Sequence, residues 1–374
     1  MRREGSRNEE GLSRRAFLLA LGVGAAAGAS AWSGLPAGAA PKTKAWSLED
    51  FAKNIQSGGP PKDGIPPIDR PKYVSAAEAD KFLREGDIVF GLDYGGAVKA
   101  YPQKILVWHE VVNAEVPREK VSITYCPLTG SVVAFRGRSP VDGAMLTFGT
   151  TGKLVNSNLL MYDRQTDSHW PQILGAAIAG PAKAARLEEI PLAWTTWARW
   201  RRRYPPTLVL STDTGYLRAY GTDPYGSYER SGTYYDSGPP FFPVMGTDNR
   251  FPAKKVMVGV KANGAQLAIP KAEFRTRRVA NATLEGLPLV ALYDEGLHVV
   301  GVYERRAAAT VLTFRSEGGR IVDELTGAVW IPSGRCTEGK LAGTQLRQVT
   351  AYDVMWFAWY AFFPDTRVLE TGKT

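Results

Sequence analysis

Three side chains with soft or borderline donor atoms lie near one another in the first half of the sequence: His109, Cys126 and Met161. An imidazole, a thiolate and a thioether suit Cu(I), Cu(II) in a thiolate site, or Zn(II). The sequence therefore predicts a soft-metal site for redox chemistry or metal handling, with copper as the first choice and zinc as the second. No C-x-x-C pair is present, so the ligands would have to come from separate elements of the fold.

The same residues support a second interpretation, in which the protein is a Cys-dependent enzyme. His109 would lower the pKa of the Cys126 thiol, and backbone amides in the turn that follows would form an oxyanion site. A structural role is the remaining alternative, because a free cysteine often behaves as a small buried hydrophobe. The sequence leaves these alternatives open.

Polar residues after the cysteine turn would surround either kind of site. Asn158, Asp163 and Arg164 are predicted to contact a cofactor or a substrate. His169 is the further imidazole that lies nearest in sequence. His298 lies much farther along the chain and is a less favoured ligand.

The elements that must position these residues occur twice. At an offset of about 168 positions, SITYCPLTGSVVAFRGR (122–138) aligns with VALYDEGLHVVGVYERR (290–306) without a gap. Strand-like segments are short and separated by turns, and long helices are few. We therefore expect a β-rich α+β fold of two tandem pseudo-symmetric repeats of short strands, each with a closing helix. Repeat one would span residues 86–210 and repeat two residues 256–370.

Differences between the two copies separate scaffold from site. His109 aligns with Arg277, and Cys126 aligns with Asp294. Aromatic and apolar positions are largely shared, which indicates architecture. Because the His/Cys pair occurs only in repeat one, the candidate site is placed there.

Two further segments flank the repeats. Residues 41–85 hold a Pro/Gly-rich lead-in and a short helix, and residues 211–255 form a Tyr-, Gly- and Pro-rich connecting segment. The connecting segment cannot be a buried regular element, so it is either a surface loop or a lid over a cleft. Its aromatic side chains give a third hypothesis for function, a non-catalytic carbohydrate- or protein-binding module.

The N-terminus has the features of an export signal. Arg14 and Arg15 precede an Ala/Gly-rich apolar run, and Ala37-Gly38-Ala39 offers a small-residue cleavage site. Residues 1–40 are therefore predicted to be a twin-arginine-type signal peptide. The mature chain would be periplasmic, cell-surface or secreted, without a membrane span, although a retained anchor stays an alternative.

Charge and composition exclude few partners. The formal net charge is +9, but the basic residues are scattered apart from Arg199–Arg203, which is predicted to be a solvated helix face. Because no nucleic-acid-binding motif accompanies them, nucleic acid is not expected as a partner. A small molecule or a redox partner remains open.

Several sequence strings together resemble a known family. They are WHEVVN, TYCPLTGSVVAF, FGTTGKLVNSNLLMYDRQTDSHWPQ and AYDVMWFAWYAFFPDT. They resemble the family called domain of unknown function 3179, over about residues 70–370. The resemblance implies that His109 and Cys126 are family positions but implies no activity. Many members read C-P-L-C-G at the cysteine turn, whereas this chain has Thr129 in place of the second cysteine, which argues against dithiol chemistry.

Overall fold

The computed structural model describes residues 45–369. Short, mostly antiparallel strands dominate, and the helices are few and short. The β-rich α+β class expected from the sequence is therefore confirmed. The predicted signal peptide lies outside the described residues. Within residues 45–369 no helix has both the length and the apolar character needed to cross a membrane.

The lead-in and the first half of the chain (residues 86–210) contain mostly strands of two to eight residues. In chain order the elements are α1 (Leu48–Lys53), β1 (Gln56–Ser57), β2 (Tyr73–Ser75), α2 (Ala76–Ala79), β3 (Ile88–Tyr94), β4 (Ala97–Pro102), α3 (Gln103–Leu106), β5 (Val111–Val116), β6 (Glu119–Cys126), β7 (Ser131–Arg136), β8 (Phe148–Val155), β9 (Asn158–Asp163), β10 (His169–Pro171), β11 (Glu189–Ile190), β12 (Ala193–Thr196), α4 (Trp197–Arg203) and β13 (Leu208–Leu210).

The second half (residues 256–369) is built in a comparable way. Its elements are β14 (Val256–Ala262), β15 (Ala265–Pro270), a 3-10 helix (Lys271–Glu273), α5 (Phe274–Arg277), β16 (Val279–Leu284), β17 (Leu287–Asp294), β18 (Val299–Glu304), β19 (Arg306–Ala307), β20 (Thr310–Val311), β21 (Phe314–Glu317), β22 (Arg320–Asp323), β23 (Val329–Trp330), β24 (Cys336–Glu338), β25 (Ala351–Met355), α6 (Trp356–Phe362) and β26 (Arg367–Val368).

Strand order is similar in the two halves. One first-half sheet has the order β12-β3-β4-β13-β2, and one second-half sheet has the order β25-β14-β15-β26. In each sheet the strand that comes last in the chain pairs in parallel with its neighbour: β13 pairs with β4, and β26 pairs with β15. The meander β5-β6-β7 of the first half has its counterpart in β16-β17-β18.

In each of these sheets a glycine lies directly beneath a tryptophan ring. A Cβ atom at Gly91 would lie 2.1 Å from the Trp200 ring, and one at Gly259 would lie 2.3 Å from the Trp359 ring. Glycine is therefore required at both positions, because any larger residue would overpack the core.

A buried aspartate closes the same kind of turn in both halves. Asp163 accepts hydrogen bonds from the backbone and hydroxyl of Thr166 and from Trp170 Nε1. Asp323 accepts the equivalent bonds from residues 326 and 330. Several donors compensate the cost of burying each carboxylate.

Helix α6 is buried along its whole length and touches both halves of the chain. Asn156 donates to the carbonyl of Ala361 at 2.9 Å, and the Phe362 ring stacks on Phe51 at 5.3 Å. The contacts explain the nearly uninterrupted apolar sequence of this helix, because it has no solvent-facing side.

The sequence also predicts two short helices, over residues 104–112 and 194–204, and the structure gives both of them different bounds. The segment 104–112, expected to be helical, ends its helix at Leu106, and the chain then turns into β5. Pairing of Val111 and Val112 with β6 outweighs the helical pattern of the preceding residues. The helix expected over 194–204 begins only at Trp197, because residues 193–196 pair with β3 as β12.

Candidate functional site

Cys126 lies at the end of β6, and its sulfur is enclosed. Sγ accepts a hydrogen bond from the Leu159 amide at 3.3 Å and donates to the Ser157 carbonyl at 3.7 Å. Burial raises the pKa of the Cys126 thiol, and the nearby Glu110 carboxylate adds to this shift. A thiol with a raised pKa is not activated as a nucleophile at neutral pH.

His109 lies in the turn after α3 and has a hydrogen bond on each ring nitrogen. Nδ1 donates to the Pro66 carbonyl at 2.7 Å, which fixes the tautomer, and Nε2 accepts from the Tyr220 hydroxyl at 2.6 Å. Burial lowers the pKa of His109 to about 4, and the Arg218 charge acts in the same direction. The neutral imidazole therefore ties the lead-in and the connecting segment to the first half.

No hydrogen bond joins His109 to Cys126 in the described part of the chain. Met161 is fully buried on β9, within the hydrophobic core. Among residues 45–369, no group of three or more His, Cys, Asp or Glu side chains could hold a metal ion. The copper and zinc expectations for His109, Cys126 and Met161 stay predictions.

The polar residues expected around that site take up different positions. The Asn158 amide donates to Thr129 Oγ1 at 3.0 Å and to Gln172 Oε1 at 2.9 Å, within a buried polar network beside the cysteine turn. Asp163 caps the turn described above. Arg164 points away to the lead-in, where it pairs with Asp69 at 3.1 Å.

His169 and the second cysteine, Cys336, lie on other strands. His169 is half-buried on β10, where burial lowers its pKa. Cys336 is buried on β24, and both cysteines are free thiols. The structure therefore brings Asn158 close to the cysteine turn but does not place His169 in a described contact with it.

A cleft of about 400 Å³, here called the central cleft, opens between the two halves. Aromatic rings form part of its wall: Trp194, Tyr228, Tyr293 and His298. Trp194 and Tyr228 meet edge to face at 5.1 Å, whereas Tyr293 and His298 lie nearly parallel at 6.0 Å. Cations complete the wall: Lys255, Lys271 and Arg275.

Corresponding turns of the two halves face this cleft. Gly130 precedes β7 with φ +53°, and His298 precedes β18 with φ +57°. Left-handed backbone is unfavourable for a residue with a Cβ, and glycine would adopt it freely. The second half nevertheless places an imidazole there, and histidine adopts this backbone more readily than most residues do.

The central cleft carries uncompensated positive charge. Lys271 is paired with the buried Asp353, and Lys255 is paired with Glu273 at 3.2 Å. Arg275 has no ion-pair partner among the described residues and is exposed. Burial lowers the pKa of His298, and the charges of Arg199, Arg275 and Lys271 lower it further.

Comparison with known proteins identifies the family. The family model described as protein of unknown function (DUF3179) matches residues 62–366. The chain belongs to the DUF3179 family. The resemblance expected from the sequence is thereby confirmed. No curated protein and no solved structure is similar to the chain.

Sequence reasoning missed the cleft of this DUF3179 protein because its wall comes from both halves. His298 was the available signal, since it occupies the position of a turn glycine in the aligned half. As a metal ligand it is less favoured, because it belongs to repeat two, which lacks the His/Cys pair. The Lys271 and Arg275 side chains gave no signal of their own, because charged residues usually lie on the surface.

Proposed function

We propose that the protein binds a small anionic ligand with a flat ring in the central cleft. The observation that carries the proposal is Arg275, a cation without an ion pair among residues 45–369 that lines an aromatic-walled cavity together with His298. Ligand sites are typically concave, with apolar walls and a few polar groups that fix orientation.

The aromatic wall favours a ligand with a planar or sugar-like ring. Trp194 and Tyr228 approach the cleft from one side, and Tyr293 and His298 from the other. Aromatic faces bury apolar ring surface, while the phenol and imidazole groups can hydrogen-bond to ring substituents. This agrees with the binding-module hypothesis that the Tyr-rich connecting segment suggested.

The cationic wall favours a carboxylate on that ring. Arg275 offers a planar fork of N–H donors that matches a carboxylate in two places. His298 is neutral near pH 7 because its pKa is lowered by burial and by neighbouring cations. An anion in the cleft would offset those cations and raise the His298 pKa, so binding should take up protons and strengthen as pH falls.

The binding test uses D-glucuronate and 4-hydroxybenzoate as probes, with glucose and 4-hydroxybenzamide as uncharged counterparts. Isothermal titration is carried out on wild type, on Arg275→Gln and on the matched control Arg277→Gln, which alters an exposed residue of the same short helix. Loss of a charge-assisted hydrogen bond should raise the Kd at least about tenfold in Arg275→Gln only. The proposal fails if no ring-bearing anion binds, or if the uncharged counterparts bind equally well.

We also propose that the two halves are copies of one unit. The paired glycine–tryptophan contacts, the buried turn aspartates and the corresponding strand orders support this. Two pairs of aligned positions also line the central cleft together. Gly130 aligns with His298, and Ile88 aligns with Val256. The cleft would then lie between equivalent surfaces.

Export is a further part of the proposal. The twin-arginine pattern of residues 13–39 supports a location outside the cytoplasm, where the ligand would be met. Fractionation of cells that produce the full chain tests it, with Arg14→Lys and Arg15→Lys together as the variant. Accumulation of the wild-type protein in the cytoplasm would contradict export.

A further inference from the structure

A second cavity, separate from the central cleft, lies at the edge of the first half and encloses about 640 Å³. It is here called the basic cavity, because five cations in its lining outnumber the two carboxylates Asp69 and Glu115: Arg70, Lys72, Lys99, Lys120 and Arg164. We propose that the basic cavity binds a soluble polyanion with two or more phosphate or carboxylate groups.

Both halves share the backbone frame beneath this cavity. Asn113 accepts from the Phe148 amide at 2.9 Å and donates to the Phe148 carbonyl at 2.9 Å. Asn281 makes the same two bonds to Phe314, at 3.0 and 2.7 Å. The frame therefore forms in either half and does not depend on the cations.

The cations themselves differ between the halves. Lys99 pairs with Leu92 across β3 and β4, and the matching position in β15 is the buried Leu267. Lys120 and Pro288 occupy matching positions in β6 and β17. Since the second half folds without these charges, architecture does not account for their presence in the first.

Some of this charge is free to meet a ligand. Lys99 Nζ donates to the backbone carbonyl of Glu115 and lies 4.0 Å above the Tyr73 ring, and it makes no ion pair with a carboxylate in the described part of the chain. Its ammonium is therefore held in place with donors to spare. Arg70 is exposed and has no ion pair within residues 45–369.

The other cations of the basic cavity make ion pairs that are exposed or partly exposed, and Arg164 pairs within the lining with Asp69 at 3.1 Å. Lys72 lies 2.7 Å from Asp213, and Lys120 lies 3.5 Å from Glu115. Solvent-exposed pairs contribute little stability, so a ligand oxygen can replace the carboxylate at small cost. Because the cations are spread along a large cavity, one anionic group cannot reach them all, which favours a ligand with several.

The experiment measures binding of inorganic tripolyphosphate by isothermal titration. The test variant combines Lys99→Gln with Arg70→Gln, and the control combines Lys340→Gln with Arg335→Gln, two exposed cations of the second half. The test variant should bind at least about tenfold more weakly than wild type, and the control should stay within about twofold. Equal affinity in the two variants, or no binding by wild type, overturns the proposal.

Two further arms keep the result specific. Vesicles containing phosphatidic acid present phosphate on a lipid headgroup. If the protein binds these vesicles but does not bind tripolyphosphate, the proposal of a soluble ligand is overturned. Arg275→Gln in the central cleft should leave tripolyphosphate binding unchanged, so this proposal and the proposed function fail independently. If Lys99→Gln lowers the thermal midpoint, the exposed Arg70→Gln alone still tests the site.

Discussion

The cysteine turn and the turn that aligns with it in the second half have similar φ values at Gly130 and His298, but different residues pack over them. Cys126 pairs with Ser131 across the first turn, and Asp294 pairs with Val299 across the second. In the first half the connecting segment packs over Tyr125, the residue before Cys126. The hydroxyl groups of Tyr228 and Tyr125 are hydrogen-bonded at 2.9 Å.

The second turn is left open to the central cleft. Tyr293, which corresponds to Tyr125, lines the cleft beside His298. Asp294, which corresponds to Cys126, accepts two hydrogen bonds from Arg203 of the first half, at 2.8 and 3.1 Å. A residue that occurs in only one half therefore need not lie at the ligand-accessible site, since the Cys126 thiol is enclosed.

The largest expected effect concerns a feature that the halves share. Asp163→Asn and Asp323→Asn each place an amide donor against hydrogen-bond donors in a buried turn. Each substitution should lower the free energy of unfolding by about 3 kcal/mol. Urea unfolding of both variants checks this, and a cost confined to Asp323→Asn would favour a ligand-binding role for Asp163.

A smaller effect on the free energy of unfolding is expected from the titration of His109, which occurs only in the first half. The pKa of His109 is about 4 in the folded protein, below its usual value, so the unfolded chain takes up the proton first. Stability is then full above about pH 6.5 and should fall by about 2 kcal/mol between about pH 7 and about pH 5.

Urea midpoints of wild type and His109→Gln across that range test the titration. His169 and His298 also have lowered pKa values and contribute to the wild-type slope, so only the difference between the two proteins reports His109. Parallel slopes would show that His109 does not titrate in this way.

Removal of either of two matching threonine hydroxyls should lower the free energy of unfolding by a still smaller amount. Thr207 accepts from Trp200 Nε1 at 2.9 Å, and Thr366 accepts from Trp359 Nε1 at 2.8 Å. Thr207→Val and Thr366→Val each leave a buried indole N–H unpaired, which should cost about 1–2 kcal/mol in either half. Thermal unfolding measures both, and a strongly unequal cost would weaken the proposal that the halves are copies.

The smallest effect is expected at the thiol. Cys126→Ser alters an enclosed side chain, and the neighbouring Gly130 is the turn residue that lines the central cleft. Ring-anion affinity should therefore change by less than about twofold. Loss of stoichiometric copper on the same substitution, measured on exported protein, would instead support the soft-metal hypothesis.

Local features of the fold could be predicted from the sequence. The Gly95–Gly96 turn, the strand end at Cys126 and the Ser75 helix cap depend on neighbouring residues, and all are present. The helix boundary near Leu106 was wrong because sheet pairing outside the segment decides it.

The central cleft could not be predicted in this way. Trp194, Arg275 and Asp353 come from distant parts of the chain, and only tertiary packing places them around one cavity. The connecting segment was expected to be a loop or a lid, and its described residues contain no helix or strand. The tyrosines of this segment cover the cysteine turn of the first half and leave the aligned turn of the second half uncovered. This difference depends on tertiary packing, which no local sequence pattern specifies.

A crystal structure of the protein with bound 4-hydroxybenzoate tests ligand binding in the central cleft most directly. The carboxylate should lie within hydrogen-bonding distance of the Arg275 guanidinium, with the ring against Trp194 or Tyr293. A ligand that binds outside the cleft, or lies inside it with its carboxylate turned away from Arg275, would contradict the account.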